Sequence, residues 1–253
     1  MNPLKETIQK EYAAIIFNQE KIGVENQRKS VCKGIYHPIQ HKYLLKKGYI
    51  DEANLGLGCG FPFDYISFKK NNFVLDLGCA AGIDCFIVSH QLGNVGKIIG
   101  IDITKELITK AAKIAEKNKI KNTEFVLGDI ELMPFKNHYF DYVISNGVFS
   151  LVSSIQQTFS ETFRVLKKTG VFCFSDIATK KEYDVELIEK IKQYTGCLNG
   201  ILFIDNYVKA LENVGFSSIT VLEERKVDLF LDEMTTITTE SEIYIFTIKA
   251  IKK

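Results

Sequence analysis

The sequence predicts a doubly wound α/β fold with a mostly parallel sheet, an N-terminal helical cap and a C-terminal antiparallel strand pair. Three observations point there. Short apolar runs alternate with helical patterns through the middle of the chain, the rhythm of strand–helix–strand crossovers. The first run ends in a small-residue turn, and the second and third end on aspartates. From Phe216 onward the helical patterns give way to two strand-like runs.

The elements follow in order. "NFVLDLG" (72–78) reads as a buried parallel strand, because parallel strands covered on both faces are continuously apolar. "IDCFIVSHQLG" then carries helical spacing at Phe86, Ile87, Val88 and Leu92 and stops at Gly93. "GKIIGID" (96–102) is a second strand. Thr104 is a candidate N-cap for a helix running to about Lys119. "TEFVLGD" (123–129) and "FDYVISN" (140–146) are the third and fourth strands. "SIQQTFSETFRVLKKTG" (154–170) is an amphipathic helix stopped at Gly170, and "GVFCFSDI" (170–177) is the fifth strand. "SSITVLEE" and "SEIYIFTIKAI" supply the antiparallel pair. Residues 1–50 carry helical patches without strong apolar periodicity and form the expected cap. The expected organisation is a cap and substrate-site loop over 1–70 and a core over 71–253, with an inserted segment around 180–215.

Composition narrows the function. Of 253 residues, 46% are hydrophobic and 25% charged, as in a globular protein with a sizeable core. The net charge of +1 lacks the basic excess of a nucleic-acid binder. No run reaches the roughly 20 apolar residues that a membrane helix needs, and no apolar run follows a basic start. The six cysteines (32, 59, 79, 85, 173 and 197) contain no C-x-x-C pair, which disfavours a zinc ribbon or a thioredoxin-type site. Reduced thiols and a cytoplasmic location are the simplest expectation.

In open α/β sheets the ligand lies beyond the carboxyl ends of the strands. The first strand ends in "LDLGCAAG", where Gly78 allows a tight turn, Ala80 and Ala81 keep bulk low, and Gly82 leads into the helix. This departs from G-x-G-x-x-G, so the turn alone is weak evidence. Asp102 at the second strand's end can accept hydrogen bonds from ribose hydroxyls. Asp129 at the third can receive the exocyclic amine of adenine, with Ile130 beside the ring.

"VLDLGCAAG", "GIDIT", "LGDIELMPF" and "FDYVISN", in that order, resemble the class I S-adenosylmethionine-dependent methyltransferases, which have a Rossmann-like, seven-stranded type of sheet. The resemblance covers about residues 70–178. It implies that Asp76, Gly78 and Gly82 cradle the methionine end, that Asp102 binds the ribose, and that Asp129 and Ile130 bind the adenine. Ala80, Ile103, Gly128 and Asn146 complete the implied cofactor set.

"ANLGLGCG", "GIDCF", "SNGVFSL" and "YTGCLNGILFIDNYVKALENVGF" extend the resemblance, over about residues 48–216, to the microbial arsenite methyltransferases. It implies a small-molecule acceptor, possible use of a thiol reductant, and arsenical ligands at Cys59 and Cys197, with Cys32 as a possible third. Soft thiolates suit a soft acceptor that keeps a lone pair. Cys79, Cys85 and Cys173 read as packing residues. One departure stands out. The family's usual pattern has a cysteine directly after Ser-Asn, where this chain has Gly147. Two thiolates suit an arsenical that already carries an organic group. The alternative is a pocket of altered specificity for an organic thiol, a selenium compound or another small metabolite. His37, His41, His90 and His138 lie off the motif tips, and a thiolate-held nucleophile needs little base assistance.

Overall fold

A computed structural model describes residues 2–22, 45–181, 201–226 and 243–253. Cys32, Cys197, His37 and His41 lie outside the described residues.

The first helix, α1 (Pro3–Ile22), precedes the sheet. Strand β1 (Phe73–Leu77) leads to α2 (Ile83–Leu92), β2 (Lys97–Asp102), α3 (Lys105–Lys117), β3 (Thr123–Leu127) and β4 (Phe140–Asn146). Then come α4 (Ile155–Val165), β5 (Leu166–Thr179), β6 (Leu202–Phe203), α5 (Ile204–Val214), β7 (Phe216–Lys226) and β8 (Ile243–Lys252). The described strands form one eight-stranded sheet in the order β3-β2-β1-β4-β5-β8-β7, with β6 paired beside β5. Strands β1 to β5 pair in parallel, and β8 runs antiparallel to both β5 and β7. The strand order therefore reverses between β1 and β4, which opens a crevice above their carboxyl ends.

The predicted strands and helices have counterparts among the described residues, with ends that differ by a residue or two, as where the third strand stops at Leu127 short of Asp129, and with one larger correction. The helix predicted over 154–170 ends at Val165, and β5 begins at Leu166 rather than at Gly170. The cause is tertiary. The N–H groups of His138 and Tyr139 donate to the carbonyls of Arg164 and Val165 at 3.0 and 2.7 Å. Buried Lys252 also donates to the carbonyls of Phe163 and Leu166. These donors satisfy the helix's last carbonyls and release the chain into the sheet. Thr104 precedes α3 as predicted, but without a side-chain cap bond; its N–H instead donates to Asp102 Oδ1 at 2.8 Å.

Two apolar layers sandwich the sheet. One gathers Phe149, Phe159, Phe172, Phe174 and Tyr207 around edge-to-face aromatic contacts. The other holds all four described cysteines, Cys59, Cys79, Cys85 and Cys173, buried. Burial pushes Cys79 up to about 11 and Cys173 up to about 12, so both stay protonated at neutral pH. This agrees with packing roles for them.

Asp176 is a buried carboxylate on β5. Its two oxygens accept the N–H groups of Phe149 and Ile177, each at 2.7 Å. Burial raises its pKa to about 7, against the opposing pull of those two donors. A raised carboxylate pKa stabilises the fold fully below the unfolded value near 4, and that contribution is lost as pH rises through 7. The shift corresponds to a contribution on the order of 4 kcal/mol. The stability advantage of the wild type over Asp176→Asn is expected to shrink between pH 4 and 7. Urea denaturation of both proteins at each pH measures it, and a constant difference rejects the expectation.

Candidate active site

The crevice holds about 920 Å³ of empty space, part of it open to solvent. Its floor comes from four strand tips. Gly78 and Ala80 follow β1, and Asp102 to Thr104 close β2. Gly128 to Glu131 follow β3, and Asn146 to Val148 follow β4.

The β1 turn is built for close approach. The N–H groups of Gly78 and Cys79 both donate to the Ile101 carbonyl, at 2.9 and 3.1 Å. Gly78 sits at φ +70, and a Cβ there would stand 2.5 Å from Val148 Cγ2. Glycine is needed for both reasons. Ala80, at φ +47, aims its N–H at Asp102 Oδ2, 3.0 Å away. Asp102 is thus held by Ala80 and Thr104, and burial raises its pKa. Ile103 adds a backbone bond and Thr104 a side-chain bond to the same carboxyl, so donors from the β1 turn and the β2 tip converge on it.

Eight of the ten predicted cofactor residues line the crevice: Gly78, Ala80, Asp102, Ile103, Gly128, Asp129, Ile130 and Asn146. Asp76 and Gly82 stand behind its wall. Gly82 packs against the rings of Phe125 and Phe86. Asp76 lies one step inside β1 and accepts the Cys85 thiol at 3.2 Å. Burial, then the nearby charges of Asp84 and Asp102, push the Asp76 carboxyl up. This acidic cluster beneath the turn favours a cationic ligand in the crevice, and the sulfonium and ammonium groups of S-adenosylmethionine fit that chemistry.

Sequence reasoning missed the roof. Lys5, Ile8 and Tyr12 of α1 line the crevice opposite the strand tips. Their i, i+3, i+7 spacing was the available signal. Lys5 Nζ reaches Asp129 Oδ2 and Glu131 Oε2, both at 2.5 Å. Burial disfavours its charge, but these two carboxylates outweigh burial and raise its pKa. Gln9 adds a bond to the Ile103 carbonyl at 2.9 Å.

Cys59 is fully buried, two residues from Leu57, which does reach the crevice. Its N–H and that of Gly60 donate to Asn146 Oδ1 at 2.8 and 3.0 Å. Its carbonyl accepts Arg225 Nη2 at 3.2 Å. The 54–62 loop therefore hangs from the β4 tip, directly beside Gly147. Gly147 lies on the crevice wall at φ +79.

A family profile described as Methyltransferase domain matches residues 68–234. The chain belongs to the methyltransferase domain family. The methyltransferase domain is of the class I, S-adenosylmethionine-dependent kind. It is 34% identical over 183 residues to the arsenite methyltransferase of Halobacterium salinarum, covering 72% of this chain and 47% of that protein. It is 33% identical over 168 residues to the arsenite methyltransferase of Homo sapiens, covering 63% and 44%. The structure of an arsenic(III) S-adenosylmethionine methyltransferase from Chlamydomonas reinhardtii matches the domain with a TM-score of 0.70 at 25% identity, covering 83% of this chain and 70% of that one. The chain spans about half the length of the curated relatives it matches. Among the described residues, no helix of the methyltransferase domain is long and apolar enough to cross a membrane.

Proposed function

We propose that the chain transfers a methyl group from S-adenosylmethionine to a trivalent arsenical held by the thiolates of Cys59 and Cys197. The observation that carries this reading is the seat of the Cys59 loop, bonded to the β4 tip where that tip forms the crevice wall. S-adenosylmethionine supplies an activated methyl on a sulfonium, so the protein's task is alignment and exclusion of water. In this reading Asp102 holds the ribose hydroxyls and Asp129 the adenine amine. Ile103 and Ile130 flank the adenine ring, and α1 closes the roof through Lys5. The acceptor needs no general base, because each cysteine thiol loses its proton as water with an arsenic-bound hydroxyl when the S–As bond forms, and the arsenic lone pair is the nucleophile. A thiol reductant keeps the cysteines and the arsenical reduced.

Gly147 favours a two-thiolate acceptor over inorganic arsenite. At φ +79 a cysteine is strained by roughly 1 kcal/mol or more, and the third ligand is absent. The same observation supports the second reading, a methyltransferase for an organic thiol, a selenium compound or another small metabolite.

The experiment is methyl transfer by the purified full chain with S-adenosylmethionine and glutathione. Arsenite, a monomethyl arsenical, selenide and simple thiols are compared as acceptors. Methylated product from the monomethyl arsenical is expected, with a loss of about 100-fold or more in Cys59→Ser. No methylated arsenic from either arsenical overturns the reading. Turnover of another acceptor that survives both Cys59→Ser and Cys197→Ser establishes the second.

A further inference from the structure

Asn146 lines the crevice, and its side chain also binds two other segments. Its Oδ1 receives the N–H groups of Cys59 and Gly60 at 2.8 and 3.0 Å. Its Nδ2 donates to the Gly60 carbonyl at 3.0 Å and to Asp84 Oδ2 at 2.8 Å. One amide thus joins three segments: the tip of β4, the thiol-bearing loop, and the first turn of α2, which follows the cofactor turn. Asp84 is itself buried. Its carboxylate strengthens the bond it accepts, because charged hydrogen bonds are about twice as strong as neutral ones.

We infer that Asn146 is a positioning residue that fixes the loop carrying Cys59 beside the cofactor crevice, with Asp84 as its anchor. The inference rests on the reading that Cys59 faces the acceptor, and it adds a residue that sets where that thiol stands. The geometry has a definite logic. Cys59 and Gly60 meet the amide through their backbone N–H groups, so these bonds set the course of the loop itself. The two N–H groups converge on a single oxygen, which fixes the turn of the loop rather than only its distance. Arg225 adds a bond to the Cys59 carbonyl. Any ligand that displaces the 146–148 tip also moves the loop, so cofactor occupancy and acceptor grip share one support.

The test is site-resolved alkylation of the full chain with iodoacetamide, followed by peptide mass mapping. Cys79, Cys85 and Cys173 are buried in the same apolar layer as Cys59 and serve as internal standards. In Asn146→Ala the Cys59 rate is expected to rise at least 10-fold, with the three standards changing less than 2-fold. In Asn146→Asp, which keeps the accepting oxygen but sets a carboxylate oxygen against Asp84 Oδ2 and the Gly60 carbonyl, a rise at least as large is expected. A Cys59 rate within 2-fold of wild type overturns the inference, and so does a parallel rise at all four thiols, which marks general loosening. A kinetic split is expected as well: the KM for the monomethyl arsenical rises about 10-fold, while the KM for S-adenosylmethionine changes less than 3-fold. The alkylation uses neither acceptor nor turnover, so its outcome is separate from that of the arsenical assay.

Discussion

Asp102→Ala is expected to weaken S-adenosylmethionine binding about 100-fold, read as Kd by calorimetry. Two hydrogen bonds from ribose hydroxyls to a charged group contribute roughly 3 kcal/mol together, and each 1.4 kcal/mol is tenfold in affinity. A second loss compounds the first. Asp102 also receives the N–H groups of Ala80 and Thr104. Without the carboxylate those donors lose their partner, and the β1 turn loses the bond that aims Ala80. Asp102→Asn keeps the shape but turns an NH₂ group toward one of the two N–H donors, so an intermediate loss is expected. A change below 5-fold in the alanine variant, with an unaltered Tm, rejects the ribose role.

Gly60→Ala is expected to lower Tm by roughly 3 to 10 °C. A Cβ at Gly60 would stand 2.4 Å from Ser175 Oγ and 2.6 Å from Ser175 Cβ. Ser175 is fully buried between β4 and β8, with its hydroxyl 2.8 Å from that of Thr247. The clash involves a Cβ in the middle of the sheet, so a rotamer change does not relieve it. Overpacking of this kind costs roughly 1–3 kcal/mol, and each kcal/mol moves the Tm of a domain this size by about 2–4 °C. Adding Ser175→Gly removes the offending atoms and is expected to recover most of the loss, although it leaves the Thr247 hydroxyl without that partner. Thermal denaturation of both variants decides it, and a wild-type Tm in Gly60→Ala means that the loop does not seat there.

The central strands were legible because burial on both faces writes them as unbroken apolar runs. "FDYVISN" matches β4 residue for residue. The strand-end aspartates were legible for a related reason: an acidic residue at the close of such a run stands out. The end of α4 was not, because the donors that stop it come from His138, Tyr139 and Lys252, far along the chain. The roof escaped because Lys5, Ile8 and Tyr12 make a short, mixed face rather than an apolar stripe. Asp84 reads in sequence as an ordinary acid in a helix's first turn, favourable to the dipole. Its partner Asn146 lies on another strand, and only the fold joins them. Asn146 does line the crevice, while its side-chain bonds to the Cys59 loop are visible only in the fold.

The placement of β8 between β5 and β7 has a consequence for synthesis. Residue 179 completes β5, yet the strand that covers its free edge begins at residue 243. At roughly 5–20 residues per second, the ribosome needs about 3 to 13 seconds to make the intervening chain. Over that interval the nascent sheet carries an unpaired edge bearing Phe172, Phe174 and Ile177, a template for pairing with a neighbouring chain. Aggregation during expression is therefore expected to depend on how quickly the later strand follows, and slowing translation between β5 and β8 lengthens the exposed period.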